Sequence, residues 1–136
     1  MSEPKMGAPA TEALMKRVRE LRAGLLRLHK ALLDDERAAY ERAHGQVSAG
    51  ELLQLVINHE QFAWLRSLSE LIVRVDETLD TDEPVATENA EALLAQARTL
   101  LKPAEEGDEF GRKYFAALQR EPDAVLTHRE VTKILS

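Results

Sequence analysis

The sequence contains no cysteine, and this absence excludes disulfide bonds, thiolate metal sites and thiol nucleophiles. Aromatic residues are scarce, so leucine, valine, isoleucine and alanine must form most of the core. No apolar run reaches the roughly 18 uncharged residues of a membrane span, and residues 1–10 lack the apolar segment of a signal peptide. We therefore expect a cytoplasmic protein with no membrane partner.

Basic residues are in the minority. The formal net charge of the 136 residues is −6, whereas binding to nucleic-acid phosphates requires a surplus of Lys and Arg. The first apolar segment is nevertheless basic between Lys16 and Lys30, and an acidic group follows between Asp76 and Glu83. We interpret the two groups as an intramolecular charge match, and we expect no nucleic-acid partner.

Glycine and proline are few and stand mostly between the apolar segments, which favours helices over strands. Residues 1–10 are predicted to be a disordered tail, and residues 11–136 a single helical domain. The first helix should begin after Thr11, a good N-cap, and end at Gly45. Apolar residues recur along it at helical spacing, namely Leu14, Val18, Leu21, Leu25, Leu28 and Leu32.

A second long helix is predicted from a capping box at Ser48 and Glu51 to about Asp80. An apolar line follows its whole length, and further apolar residues widen that line. So broad an apolar surface is typical of a central helix or of one at an oligomer interface. The line consists of Leu53, Ile57, Trp64, Leu68, Leu71 and Val75.

Two shorter segments complete the predicted fold. The third helix takes Thr87 as its N-cap, and the fourth is interrupted by Pro122 and resumes at a capping box of Thr127 and Glu130. The short turn before Ser48 makes the two long helices antiparallel. The prediction is an all-α, up-down helical bundle built on a long antiparallel helical hairpin with two shorter, partly broken helices. The alternative is a hairpin that dimerises to cover its apolar faces.

Polar residues interrupt the apolar lines in the middle of this hairpin. Asp35 falls on the apolar line of the first helix and Glu60 on that of the second. With equal rise per residue in both helices, His29 should face Trp64 and His59 should face Leu33, so the four polar residues lie within about two turns of one another. We predict His29, Asp35, His59 and Glu60 as a candidate metal or small-ligand site. Pairing in such a buried cluster should raise the pKa values of His29 and His59. The alternative is a solvated kink or a simple His–carboxylate hydrogen bond.

No motif for nucleophilic catalysis is present. The sequence has no Gly-x-Ser-x-Gly, no glycine-rich phosphate loop and no His-Glu-x-x-His. It therefore assigns no catalytic residue and no cofactor.

Residues 25–80 contain the segments LHKALLD, GELLQLV and FAWLRSLSELI. This pattern resembles a group of short, uncharacterised bacterial proteins with the segments LHRALLD, GELLQLL and FAWLRPLSELI. Ser67 stands where that pattern has a proline. The resemblance implies a bacterial, cytoplasmic origin and no particular activity.

Two functions of different classes remain. The first is a non-enzymatic helical interaction or scaffold protein that self-associates as a homodimer, which the apolar excess of the second helix favours. The second is a helical bundle that binds a metal or small ligand through the mid-hairpin cluster.

Overall fold

A computed structural model describes residues 8–136 of the chain. This part consists of six α-helices and one 3-10 helix, and it contains no strand, so the predicted all-α class is confirmed. The elements are α1 (Glu12–His44), α2 (Ala49–Asn58), the 3-10 helix (Glu60–Leu65), α3 (Arg66–Leu79), α4 (Thr87–Leu100), α5 (Glu109–Arg120) and α6 (Pro122–Leu135). Within residues 8–136, no helix is both long and apolar enough to cross a bilayer.

The predicted disordered tail lies mostly outside the described residues, which exclude residues 1–7. Its last residues are paired with the loop before α4. The Ala10 N–H donates to the Val85 carbonyl at 2.7 Å, and the Thr87 N–H donates to the Ala8 carbonyl at 2.7 Å. Thr87 is the first residue of α4 and not its N-cap, which is Ala86. The Thr87 N–H instead holds the segment that leads into α1.

Helix α1 lies at the centre of the bundle. The broad apolar surface of the predicted second helix had suggested that position for the second helix instead. Its N-cap is Thr11, which accepts a hydrogen bond from the Leu14 N–H, and it ends at Gly45, whose φ of 87° favours glycine. Between these ends α1 packs against α3, α4 and α6. Its buried residues are Val18, Leu21, Gly24, Leu25, Leu28, Ala31, Leu32 and Glu36.

The prediction of one continuous second helix is wrong. The capping box of Ser48 and Glu51 starts α2 as expected, but the helix stops before His59, whose backbone is extended (φ −91°, ψ 136°). The His59 Nδ1 atom then accepts a hydrogen bond from the Gln61 N–H at 3.0 Å and so caps the 3-10 helix. The apolar line is therefore divided: Leu53 lies in a helix with no buried residue, whereas Leu68 lies in the core.

The return limb of the hairpin runs antiparallel to α1, as predicted, but with a different register. Polar contacts between the two limbs join Arg22 to Asp76 and His29 to Ser69. His29 therefore faces Ser69 rather than the expected level of Trp64. The register differs because α2 does not advance along α1. Val47, just before α2, contacts Arg37 and Glu41, and Gln61, just after it, contacts Glu36 at nearly the same level of α1.

The last segment is two helices rather than one broken helix. Pro122 occupies the first turn of α6. Backbone N–H groups in the first turn have no partner within the helix, so the missing N–H of proline costs no helical hydrogen bond there. The side chain of Glu121 caps this helix. The predicted capping box at Thr127 is wrong, because Thr127 is buried inside α6 and its hydroxyl donates to the Asp123 carbonyl at 2.8 Å.

Helix α6 packs closely and antiparallel along α1. Gly24 permits this approach, since a Cβ atom added there would lie 2.8 Å from a methyl carbon of Val131. At the end of α6, the Arg17 guanidinium donates to the Ile134 carbonyl at 2.9 Å. The C-terminal end of α6 thus lies beside the start of α1.

Candidate functional site

Two of the four predicted metal ligands lie on α1 and contact different helices. His29 Nε2 is 3.0 Å from the hydroxyl oxygen of Ser69 on α3. Asp35 forms an ion pair of 2.6 Å with Arg120 of α5, and its side chain is nearly buried. Each side chain already has a partner outside the proposed set.

The other two, His59 and Glu60, lie at the break between α2 and the 3-10 helix. The His59 imidazole caps the 3-10 helix and packs edge-on against Tyr40, with 5.4 Å between ring centroids. Glu60 is exposed. Among residues 8–136, no group of three or more His, Asp or Glu side chains is arranged to hold a metal ion. The structure thus does not unite His29, Asp35, His59 and Glu60 in one site.

Burial lowers the pKa of His29, which corrects the expected rise, because no carboxylate compensates for the loss of solvent. A second histidine, His128 of α6, behaves in the same way, and burial lowers its pKa too. Its Nδ1 atom is 2.5 Å from the hydroxyl oxygen of Tyr114, a fully buried side chain whose pKa is raised by burial. Both histidines are therefore most stable in the fold as neutral imidazoles.

We expect the free energy of unfolding to fall as the pH is lowered from about 7.5 to 5.5. The unfolded chain protonates its histidines near 6.5, whereas the folded chain protonates His29 and His128 at lower pH. The unfolded state thus binds more protons in this range, and stability is lost as the pH falls through 6.5 towards the lowered folded values. Urea melts at both pH values measure the change, and a variant carrying His29→Gln and His128→Gln should show a flatter profile. Stability that rises on acidification would contradict the assignment.

A carboxylate that sequence reasoning missed fixes the 3-10 helix to α1. Glu36 is 7% exposed and has no ion-pair partner among the described residues. Its Oε2 atom accepts a hydrogen bond from the Trp64 indole N–H at 2.6 Å, and its Oε1 atom accepts one from the Gln61 side-chain amide at 3.0 Å. Two neutral donors therefore satisfy both oxygens of this buried group.

The loop that leads into α2 is fixed in a comparable way. The Val47 N–H donates to Glu41 Oε2 at 2.9 Å, and the Val47 carbonyl accepts from Arg37 Nη2 at 2.8 Å. Arg37 Nε also donates to Glu41 at 3.3 Å. Side chains of α1 thus hold the chain just before α2, and the contacts to Glu36 hold it just after.

Between these two attachments, α2 is apolar but contains no buried residue. Leu52, Leu55 and Val56 are half-buried on its inner side. On the opposite side Leu53 and Ile57 are 57% and 53% exposed. We define the outer face of α2 as Gly50, Leu53, Gln54 and Ile57, four exposed residues that lie together at helical spacing.

This outer face differs from the rest of the described surface. Scattered apolar side chains are normal on any protein surface, and α1, α3 and α6 each expose one, which are Leu26, Val73 and Leu126. Helix α2 exposes two on successive turns, and no residue of its outer face is ionisable. The outer face of α2 is therefore the candidate functional surface.

Comparisons of the chain with protein-family models, with curated proteins and with solved structures found no match.

Proposed function

We propose that the protein is a non-enzymatic helical interaction protein that self-associates as a homodimer through the outer face of α2. One observation carries the proposal: α2 is attached to α1 at both ends, yet it buries no residue of its own. A helix that served only the core would keep its outer side polar. Here Leu53 and Ile57 point away from the bundle and are more than half exposed.

The size of the outer face favours a weak dimer. A helix of ten residues is about 15 Å long. Its contact with a second copy is therefore at the small end of specific interfaces, where association is commonly weak. We propose dissociation in the micromolar range, in the cytoplasm of a bacterium, the location that the resemblance of residues 25–80 suggests.

Leu53→Lys should dissociate the dimer. The substitution places a strongly hydrated charge in the middle of an apolar contact, and the loss of one central anchor of this kind is expected to raise the dissociation constant by about tenfold or more. Sedimentation velocity or light scattering over a dilution series measures the effect. Leu126→Lys is the matched control, because Leu126 is also a helical leucine and is 58% exposed.

The control variant should associate as the wild type does. If Leu126→Lys dissociates the dimer and Leu53→Lys does not, the interface lies on α6 and the assignment to α2 is wrong. A wild-type protein that stays monomeric at several hundred micromolar would reject self-association altogether.

A further inference from the structure

We infer that two copies of this chain meet through antiparallel α2 helices, related by a two-fold axis that passes between Leu53 and Gln54. This inference rests on the proposed function and adds the arrangement of the second copy. A two-fold interface brings the same surface together from both subunits, so the outer face of α2 must be complementary to itself. Charge and shape both select the antiparallel orientation.

The two ends of α2 carry side chains of opposite charge. Glu51 stands beside the outer face in the first turn, and Arg66 lies at the other end, with its Nη2 atom 3.4 Å from the Ile57 carbonyl. A parallel pair would place both Glu51 side chains at one end of the interface and both Arg66 side chains at the other, so that like charges share each end. An antiparallel pair places Glu51 near the partner's Arg66 instead, and it also aligns the two helix dipoles favourably.

The shape of the outer face also favours the antiparallel pair. A small residue, Gly50, and a large one, Ile57, lie at opposite ends of the face and on the same side of the helix. Nothing lies within 4 Å of a Cβ atom added to Gly50, so the space in front of this residue is open. In the antiparallel pair Ile57 fills the space before the partner's Gly50, and this contact occurs twice. In a parallel pair Ile57 would meet the partner's Ile57 and leave the space at Gly50 empty.

The absence of cysteine allows a direct test by disulfide cross-linking, because any thiol in a variant is the one introduced. A disulfide forms only when the two Cα atoms approach to about 4.4–6.8 Å. We therefore choose Gly50→Cys and Ile57→Cys, with an affinity tag on one of them, and oxidise each full-length variant alone and the two together. The antiparallel arrangement predicts a disulfide-linked heterodimer in the mixture. Neither variant oxidised alone should form a disulfide-linked dimer.

Two further variants keep the result decisive. Gln54→Cys lies next to the proposed axis and should link to its own copy, so it tests the same arrangement if Gly50→Cys fails to fold. Leu126→Cys is equally exposed but lies on α6, and it should give no linked dimer.

The outcomes separate this inference from the proposed function. Gly50→Cys that links to itself, with no gain on mixing, would overturn the antiparallel pair and leave association through α2 in place. Cross-linking of Leu126→Cys without any link at positions 50, 54 or 57 would overturn both. A heterodimer confined to the mixture, together with dissociation by Leu53→Lys, supports both.

Discussion

Replacing Trp64 with alanine should lower the free energy of unfolding by about 3–5 kcal/mol, the range for large buried aromatic side chains. Trp64 is only 3% exposed, and its ring centroid is 5.4 Å from that of Phe110. The substitution also removes the donor at 2.6 Å from Glu36 and leaves a buried carboxylate oxygen without a partner. Because Trp64 is the only tryptophan, urea unfolding should be followed by circular dichroism rather than by fluorescence.

Trp64→Phe separates the hydrogen bond from the packing. Phenylalanine retains a ring beside Phe110 but offers Glu36 no N–H, so we expect a loss of about 1–3 kcal/mol. Adding Glu36→Leu should recover part of this loss, because replacing both members of a buried polar pair by apolar groups is far less costly than removing one. A Trp64→Phe variant as stable as the wild type would show that the bond to Glu36 contributes nothing.

The position of this buried carboxylate shows how far the periodicity of α1 can be used. A strict seven-residue repeat continues from Leu28 to Asp35, and this choice made Asp35 the polar residue of the apolar line. A straight α-helix drifts by about 20° in each seven residues relative to that repeat. After several turns the buried position has therefore moved by one residue to Glu36, and Asp35 lies at its edge beside Arg120.

The break at His59 could not be predicted from local sequence signals. The residues at the break include no proline or glycine, and the apolar line continues across it from Ile57 to Trp64. The contacts that accompany the break are tertiary, since Gln61 and Trp64 both donate to Glu36 on another helix. A pattern of apolar residues identifies a helical face, but it does not reveal hydrogen bonds between distant segments.

The predicted ligand cluster was affected by the same limitation. Its four residues were predicted to lie within about two turns of one another on the assumption of two straight helices of equal rise. The broken limb changes the level of His59 and Glu60, and Arg120 of α5 pairs with Asp35. By contrast, the N-cap at Thr11, the end at Gly45 and the capping box at Ser48 were predictable, because each depends on residues within one turn.

A pair of alanine substitutions tests the division of the second apolar line directly. Leu68→Ala should cost about 2–5 kcal/mol, because Leu68 is fully buried and its loss leaves a cavity in the core. Leu53→Ala removes the same atoms from the same predicted line, yet it should change stability by less than about 0.5 kcal/mol, since Leu53 is an exposed residue of α2.

The comparison requires the monomer, because dimerisation would add concentration-dependent stability to any variant that still associates. Denaturant melts should therefore be made well below the dissociation constant and repeated at a tenfold higher concentration. At low concentration a single continuous buried helix predicts similar costs for Leu53 and Leu68, and that result would contradict the break at His59. At the higher concentration the wild type and Leu68→Ala should both gain stability, whereas Leu53→Ala should gain less, since the leucine that it lacks belongs to the outer face of α2.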